Sequence, residues 1–263
     1  DSAKSNLHGS LSSRMKLPPL SGVLGLNELN RRTRKEGIAN VNGHLFLHEE
    51  ITLLALRDRS GTIASGTNYK YAIGGAVLAE LLLEERVTVE TNRKKKFLRL
   101  ESSTPLGDPV IDECLRKVVD AKKRAQLQTW VSRFASVKKL KHRIAKRLCD
   151  RGILRLDEDK VLLVFSRKIY PEINPEPERR IMDRLRDAIF TDTDHVEPRT
   201  AVLLSLAKNT GVLKVNFDKK KLKTRKDRIE RVINGEVTGK AAKDAIDAMN
   251  AAIMVVFIAS GIN

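Results

Sequence analysis

The chain has 263 residues, 41% of them hydrophobic, and carries 50 Lys and Arg against 33 Asp and Glu, a formal charge of +17. That length supplies a real core for one large domain or two small ones, and the charge excess points to phosphate-rich or acidic partners: nucleic acid, an anionic membrane or an acidic protein. Two cysteines, Cys114 and Cys149, fit neither a disulfide framework nor a metal site, while the apolar run Ala251 to Ala259 is too short to span a bilayer and no signal-peptide pattern is present, so cytosolic exposure is expected.

Residues 1–43 mix Ser, Asn, Gly and the pair Pro18-Pro19 with the cluster Arg31-Arg32-Thr33-Arg34-Lys35, and read as a mobile basic arm ahead of a globular domain over 44–263. Leu45 to Leu56 looks like a short helix passing into a strand, with a turn at Arg57 to Gly61. Tyr71 to Leu83 is apolar nearly all round, and its small residues Ala72, Gly74, Gly75, Ala76 and Ala79 predict a central buried helix with close neighbours. Val87 to Glu90, a lysine-rich turn at Arg93 to Lys96, and Phe97 to Leu100 read as a hairpin. Asp108 is a plausible N-cap for a helix beginning at Val110, and the lone Trp130 reads as a packing anchor in the helix that follows.

The most informative stretch is Val137 to Phe165. Val137, Leu140, Ile144 and Leu148 fall on one arc of a helix, while Lys138, Lys139, Lys141, Arg143, Lys146, Arg147 and Arg151 occupy the remainder. Gly152 reads as the capping glycine. Ile153 to Leu156, Asp157 to Lys160 and Val161 to Phe165 then read as strand, polar turn and strand. Five consecutive apolar residues in the second strand lack the alternation of a half-exposed ribbon, so it is buried on both faces or meets something apolar outside its own core. Beyond it come a loop at Tyr170 to Pro177, a helix over Glu178 to Phe190, an apolar helix over Thr200 to Lys208, a second cationic cluster from Lys214 to Arg231, and a closing helix over Lys240 to Ile258. The fold class expected is mainly α, a single globular helical core with peripheral β-hairpins.

Enzyme constellations are absent from the pattern. No glycine-rich phosphate loop follows a strand, the five histidines are scattered, and His48-Glu49-Glu50 is a zinc-motif fragment without its second histidine, so no catalytic residue, metal or cofactor is assigned. The basic helix is different. Lys138, Lys141, Arg143 and Lys146 are the candidate lipid headgroup ligands; Leu154, Leu162, Leu163, Val164 and Phe165 are the candidate hairpin that enters a membrane or pairs with another subunit in a homo-oligomer. A helix, a glycine and a two-stranded ribbon also outline a winged helix, which keeps duplex nucleic acid as the alternative partner.

Four stretches resemble the Golgi phosphoprotein 3 family of peripheral membrane proteins, in a form closer to its prokaryotic branch. They are Leu47 to Asp58 with Gly61, Gly74 to Leu81, Pro105 to Asp108 with Asp112-Glu113, and Arg143 to Leu148 with Arg151-Gly152-Ile153-Leu154. The resemblance implies a mainly helical fold, phosphatidylinositol 4-phosphate in a basic pocket, an apolar hairpin in the bilayer, and recruitment of glycosyltransferase cytoplasmic tails. It implies a cytoplasmic, membrane-peripheral place, on the cytosolic face of the Golgi in a eukaryote. Two family arginines of the pocket helix fall on Lys138 and Lys141. A third falls on Gly74, and the family's loop tryptophan has no counterpart between Gly61 and Tyr71, where Tyr69 and Tyr71 are the nearest aromatics.

Overall fold

The computed structural model describes residues 44–57, 60–161, 165–237 and 240–259. The basic arm expected over residues 1–43 lies outside them. Among the described residues there are eleven helices and three two-stranded antiparallel sheets, the mainly α architecture that the periodicity predicts. No helix among them is long and apolar enough to cross a membrane.

The centre is α2 (Tyr69–Leu83), in which every residue from Ala72 to Leu81 is buried. It packs against α1 (Leu47–Ala55), α4 (Leu127–Ala135) and the last helix, α11 (Lys240–Ala259). Small side chains permit this density. A β-carbon at Gly74 would lie 2.5 Å from the carbonyl oxygen of Val131 on α4. The position onto which a family pocket arginine falls is therefore a helix-crossing point, where no side chain fits, and belongs to the core. Trp130 is 2% exposed and packs its ring against Phe134 with the Arg133 guanidinium over it, the anchoring role read from the sequence.

The first small sheet joins β1 (Leu56–Arg57) to β2 (Thr62–Ile63), and the second joins β3 (Val87–Asn92) to β4 (Lys95–Leu100) with Val87 opposite Leu100. Helix α3 (Pro109–Val119) starts at the predicted N-cap: the Asp108 carboxylate accepts from the Val110 and Ile111 N–H groups at 2.9 and 2.8 Å. Then come α5 (Leu140–Asp150) and a hairpin of β5 (Asp157–Val161) and β6 (Phe165–Ile169). The remainder is helical: α6 (Glu176–Phe190), α7 (Pro198–Asn209), the short α8 (Leu213–Asn216) and α9 (Lys219–Thr224), and α10 (Lys226–Ile233).

The hairpin is displaced along the chain from its predicted place. Asp157 to Lys160, read as a polar turn, is a strand, with Glu158 opposite Lys168 and Asp159 opposite Arg167. Acidic residues favour a turn locally, but here Asp159 pairs with Arg167 across the ladder at 2.7 Å and Glu158 faces a basic residue, and cross-strand opposite charges stabilise the extended form.

Charge organises the interior as well as the surface. Glu49, fully buried on α1, accepts from Arg147 Nε and Arg151 Nη1, each at 3.0 Å. Arg147 also lies 3.0 Å from Asp108, which sits 3.5 Å from the fully buried His48. Glu80 on α2 binds Arg199 through both carboxylate oxygens, at 2.7 and 2.8 Å, and takes the Leu47 N–H at 2.7 Å. Three of the four stretches singled out in the sequence thus meet in buried ion pairs and the fourth joins them through the Leu47 N–H on Glu80, and removing one ionic partner strands the other in a low-dielectric interior.

Candidate functional site

Helix α5 has the two faces that its pattern requires. Leu140, Ile144, Ala145 and Leu148 are buried, as is Val137 just before it. Gly152, at φ +69°, ends the helix, with the Ile153 N–H returning to the Leu148 carbonyl at 2.9 Å. At the other end the N-cap residue is Lys139, in left-handed backbone at φ +54°, and no side chain caps the helix there. The Leu140 N–H donates to the Val137 carbonyl at 3.2 Å, and the remaining first-turn N–H groups and the positive end of the helix dipole lie at the end of α5 that Lys138, Lys139 and Lys141 begin.

A cluster of cations forms at this end. Lys138 and Lys139 are exposed and Lys141 is half-buried. The Lys141 ammonium is held below its ordinary pKa, first by burial and then by the charge of Arg167. His142 is likewise held below its ordinary value, by burial and by the charges of Lys141, Lys168 and Lys139. Like charges that depress one another in this way are close in space. Arg167 and Lys168 lie on β6, so helix and hairpin build the cluster together. His142 Nδ1 and Tyr170 Oη share a hydrogen bond of 2.7 Å, and the Tyr170 N–H donates to the Gly61 carbonyl at 3.0 Å. These bonds fasten the end of the hairpin to α5 and to the turn after β1.

Of the cluster, Arg167 is spoken for: its Nε and Nη2 donate to Asp159 at 3.1 and 2.7 Å. Among the described residues, Lys138, Lys139, Lys141 and Lys168 have no carboxylate within ion-pair distance. That is a local excess of positive charge with its donors free to reorganise around an anion.

The other two predicted headgroup ligands are placed differently. Arg143 turns to α3, where it donates to the Glu113 carboxylate and, at 3.1 Å, to the Pro109 carbonyl. Lys146 pairs with Asp150 one turn along the same helix at 2.9 Å. Helical periodicity sets Lys138 and Lys141 on one flank and Arg143 and Lys146 on another, and in the fold Arg143 is neutralised by a residue 30 positions earlier. Lys141 is brought together with the hairpin and Lys138 is exposed at the same end of α5; Arg143 and Lys146 belong to ion pairs elsewhere.

The candidate insertion residues also divide. Leu154 is 2% exposed and belongs to the core, its backbone bridged to Glu172, so it is a packing residue and no part of the hairpin. Its neighbour Ile153 is buried too, and an apolar pair directly after a helix cap is drawn into the core. Phe165 begins β6 and is the partner of Val161 in the last rung of the ladder. Leu162, Leu163 and Val164 lie outside the described residues.

Arg167, Lys168 and Tyr170 lie beyond the hairpin that the sequence pattern predicts, and the structure sets them beside the start of α5. A signal was present: three acids at Asp157 to Asp159 and two bases at Arg167-Lys168 are spaced as opposing strands of one hairpin, and reading that complementarity would have set the register.

Residues 47–249 match the family described as Golgi phosphoprotein 3 (GPP34). The chain is also 25% identical over 146 residues to the vacuolar protein sorting-associated protein 74 of Schizosaccharomyces pombe, a match that covers 48% of this chain and 43% of that relative. The matched part thus spans less than half the length of the curated relative.

Proposed function

The chain belongs to the Golgi phosphoprotein 3 family, and from that premise we propose that it is a non-enzymatic peripheral membrane protein whose α5–β6 cation cluster holds an anionic lipid headgroup. The observation that carries this reading is the His142–Tyr170 hydrogen bond of 2.7 Å, which fastens the end of β6 to the first turn of α5 and so sets Arg167 and Lys168 beside Lys139 and Lys141, with Lys138 exposed at the same helix start. Lysines are point charges without the guanidinium fork, so they hold a phosphate by Coulomb attraction while the helix N–H groups supply direction. Each surface Lys or Arg contributes roughly 1 kcal/mol at an anionic membrane, and apolar insertion adds the remainder. Leu162 to Phe165, within the apolar run of the hairpin sequence, is the segment for insertion.

By the family resemblance the preferred headgroup is phosphatidylinositol 4-phosphate, the surface is the cytosolic face of the Golgi, and the role is that of an adaptor for the cytoplasmic tails of membrane enzymes such as glycosyltransferases. The winged-helix, nucleic-acid reading gains nothing from either comparison. The test is co-sedimentation with vesicles of neutral lipid, generic anionic lipid, and phosphatidylinositol 4-phosphate at matched total charge and near physiological salt. The expected result is retention on anionic vesicles, strongest with the phosphoinositide, and its loss in a folded Lys138→Glu/Lys141→Glu variant. Unchanged sedimentation of that variant overturns the site assignment.

A further inference from the structure

A second concavity of about 340 Å3 opens where the end of α7 meets α8, α9 and α10. Its floor is aliphatic: Leu213 and Ile229 are buried and Leu222 is half-buried. The rim is made of lysines. Lys208 is bound to Glu230, the one acid lining the cavity, at 2.6 Å, so those two charges cancel. Lys214, Lys219, Lys223 and Lys226 complete the rim, and among the described residues none of the four has a carboxylate within ion-pair distance.

The local sequence explains how the hollow arises. Asp218 caps α9 through the Lys221 N–H at 2.9 Å, and Arg225, between α9 and α10, donates to the Ile189 carbonyl at 2.8 Å, which holds the two short helices against α6. Leu222 and Ile229, seven residues apart, then face inward while the lysines beside them face outward. The arginines of this stretch have structural tasks: Arg228 donates to the Ala188 and Thr193 carbonyls, and Arg225 pairs with Asp192. The lysines have none. Four uncompensated charges around an apolar hollow repel one another, and an anion seated among them relieves that repulsion.

We propose that this cavity binds a single-chain anionic amphiphile, with its aliphatic chain on Leu213, Leu222 and Ile229 and its acidic head among Lys214, Lys219, Lys223 and Lys226. A cavity at the small end of the usual range of about 300–1,000 Å3 suits one alkyl chain better than the face of a peptide helix. The floor presents no hydrogen-bonding side chain that would select a polar ligand, and the lysine stems extend the apolar wall. The site shares no residue with the α5–β6 cluster, so the two can be tested independently.

The experiment is isothermal titration calorimetry of the full chain with dodecyl phosphate below its critical micelle concentration, beside inorganic phosphate and the uncharged dodecyl maltoside. In the Lys138→Glu/Lys141→Glu background, which removes the α5–β6 headgroup cluster, one dodecyl phosphate should bind per chain, with each control weaker by about tenfold or more. Adding Lys223→Glu/Lys226→Glu should weaken binding by about tenfold or more, while adding Lys122→Glu/Lys123→Glu, at two exposed lysines in neither site, leaves it unchanged. Both reversed rim lysines are exposed, so the fold is expected to survive, and Leu222→Gln with circular dichroism provides a second variant that removes floor instead of rim. Dodecyl maltoside binding as tightly as the phosphate, or full affinity after the rim charge reversal, overturns the proposal. So does an acidic peptide that occupies the site while dodecyl phosphate fails to displace it.

Discussion

His142 Nδ1 and Tyr170 Oη lie 2.7 Å apart, a single hydrogen bond that joins the first turn of α5 to the residue following β6. The cations of the proposed headgroup site are split between those two elements, so the bond holds the two halves of the cluster together. Tyr170→Phe removes only the hydroxyl from a residue that is 3% exposed. The variant should lose about 1 kcal/mol of stability in urea unfolding and bind anionic vesicles a few-fold more weakly. Unaltered vesicle affinity in a measurably destabilised variant would show that the two halves need no such fastening.

The ion pairs separate structural cations from available ones, and this leads to opposite expectations for residues that look alike in sequence. Lys139→Gln/Lys168→Gln should weaken anionic vesicle binding several-fold, since neither has a carboxylate partner among the described residues and each contributes roughly 1 kcal/mol at the surface. Lys146→Gln should leave binding within about twofold, because its ammonium is already paired with Asp150 and exposed pairs of this kind contribute little. Vesicle co-sedimentation of the variants side by side reads the difference; a larger loss from Lys146→Gln than from Lys139→Gln/Lys168→Gln contradicts the placement of the site.

The buried His48–Asp108 pair makes stability depend on pH in a definite direction. Burial opposes the charge on His48, but Asp108, with Glu49 and Glu80 behind it, more than offsets this and raises its pKa above 6.5. Burial also pushes Asp108 up, yet His48, the Ile111 N–H and Arg147 together bring it down to about 2. A histidine raised by folding stabilises fully below its unfolded pKa and ceases to do so as pH climbs through the folded value. Asp108 stabilises above its ordinary 3.8 and ceases to do so as pH falls toward about 2. Thermal midpoints should therefore be highest between those limits and decline from pH 6.5 upward, with the upper decline flattened in His48→Gln. A midpoint that climbs steadily from pH 6.5 to alkaline conditions is the contrary result.

Gly74 tests the helix crossing at the centre of the fold. Gly74→Ala places a methyl group 2.5 Å from the Val131 carbonyl oxygen, and the two helix backbones must part to admit it. The expected loss is about 1–3 kcal/mol in urea unfolding, from overpacking alone. Equal stability of the two proteins would mean that α2 and α4 can separate freely.

Much of the fold is legible in the residues because it follows from short-range rules. The all-round apolar character of Tyr71 to Leu83 specifies a buried helix, Asp108 specifies the start of α3, and the arc of Val137, Leu140, Ile144 and Leu148 specifies which side of α5 packs. Each depends on neighbours within one or two turns. Local composition favours a turn at Asp157 to Lys160, whereas the residues opposite on the ladder, Arg167 and Lys168, lie about ten residues away, so the β5–β6 register is set beyond the reach of local rules.

The sequence by itself determined the helical class, the buried and basic sides of α5, and the family motifs; tertiary structure alone decided which cations are available. Lys138, Lys141, Arg143, Arg147 and Arg151 are equivalent as a pattern of charges on one helix and its flanks. Folding brings Glu49 to Arg147 and Arg151 across about a hundred positions, and Glu113 to Arg143 across 30, while no carboxylate among the described residues reaches the two lysines. Ion pairing falls off over a few ångströms of space and takes no account of distance along the chain, so it could be read only once the helices were packed.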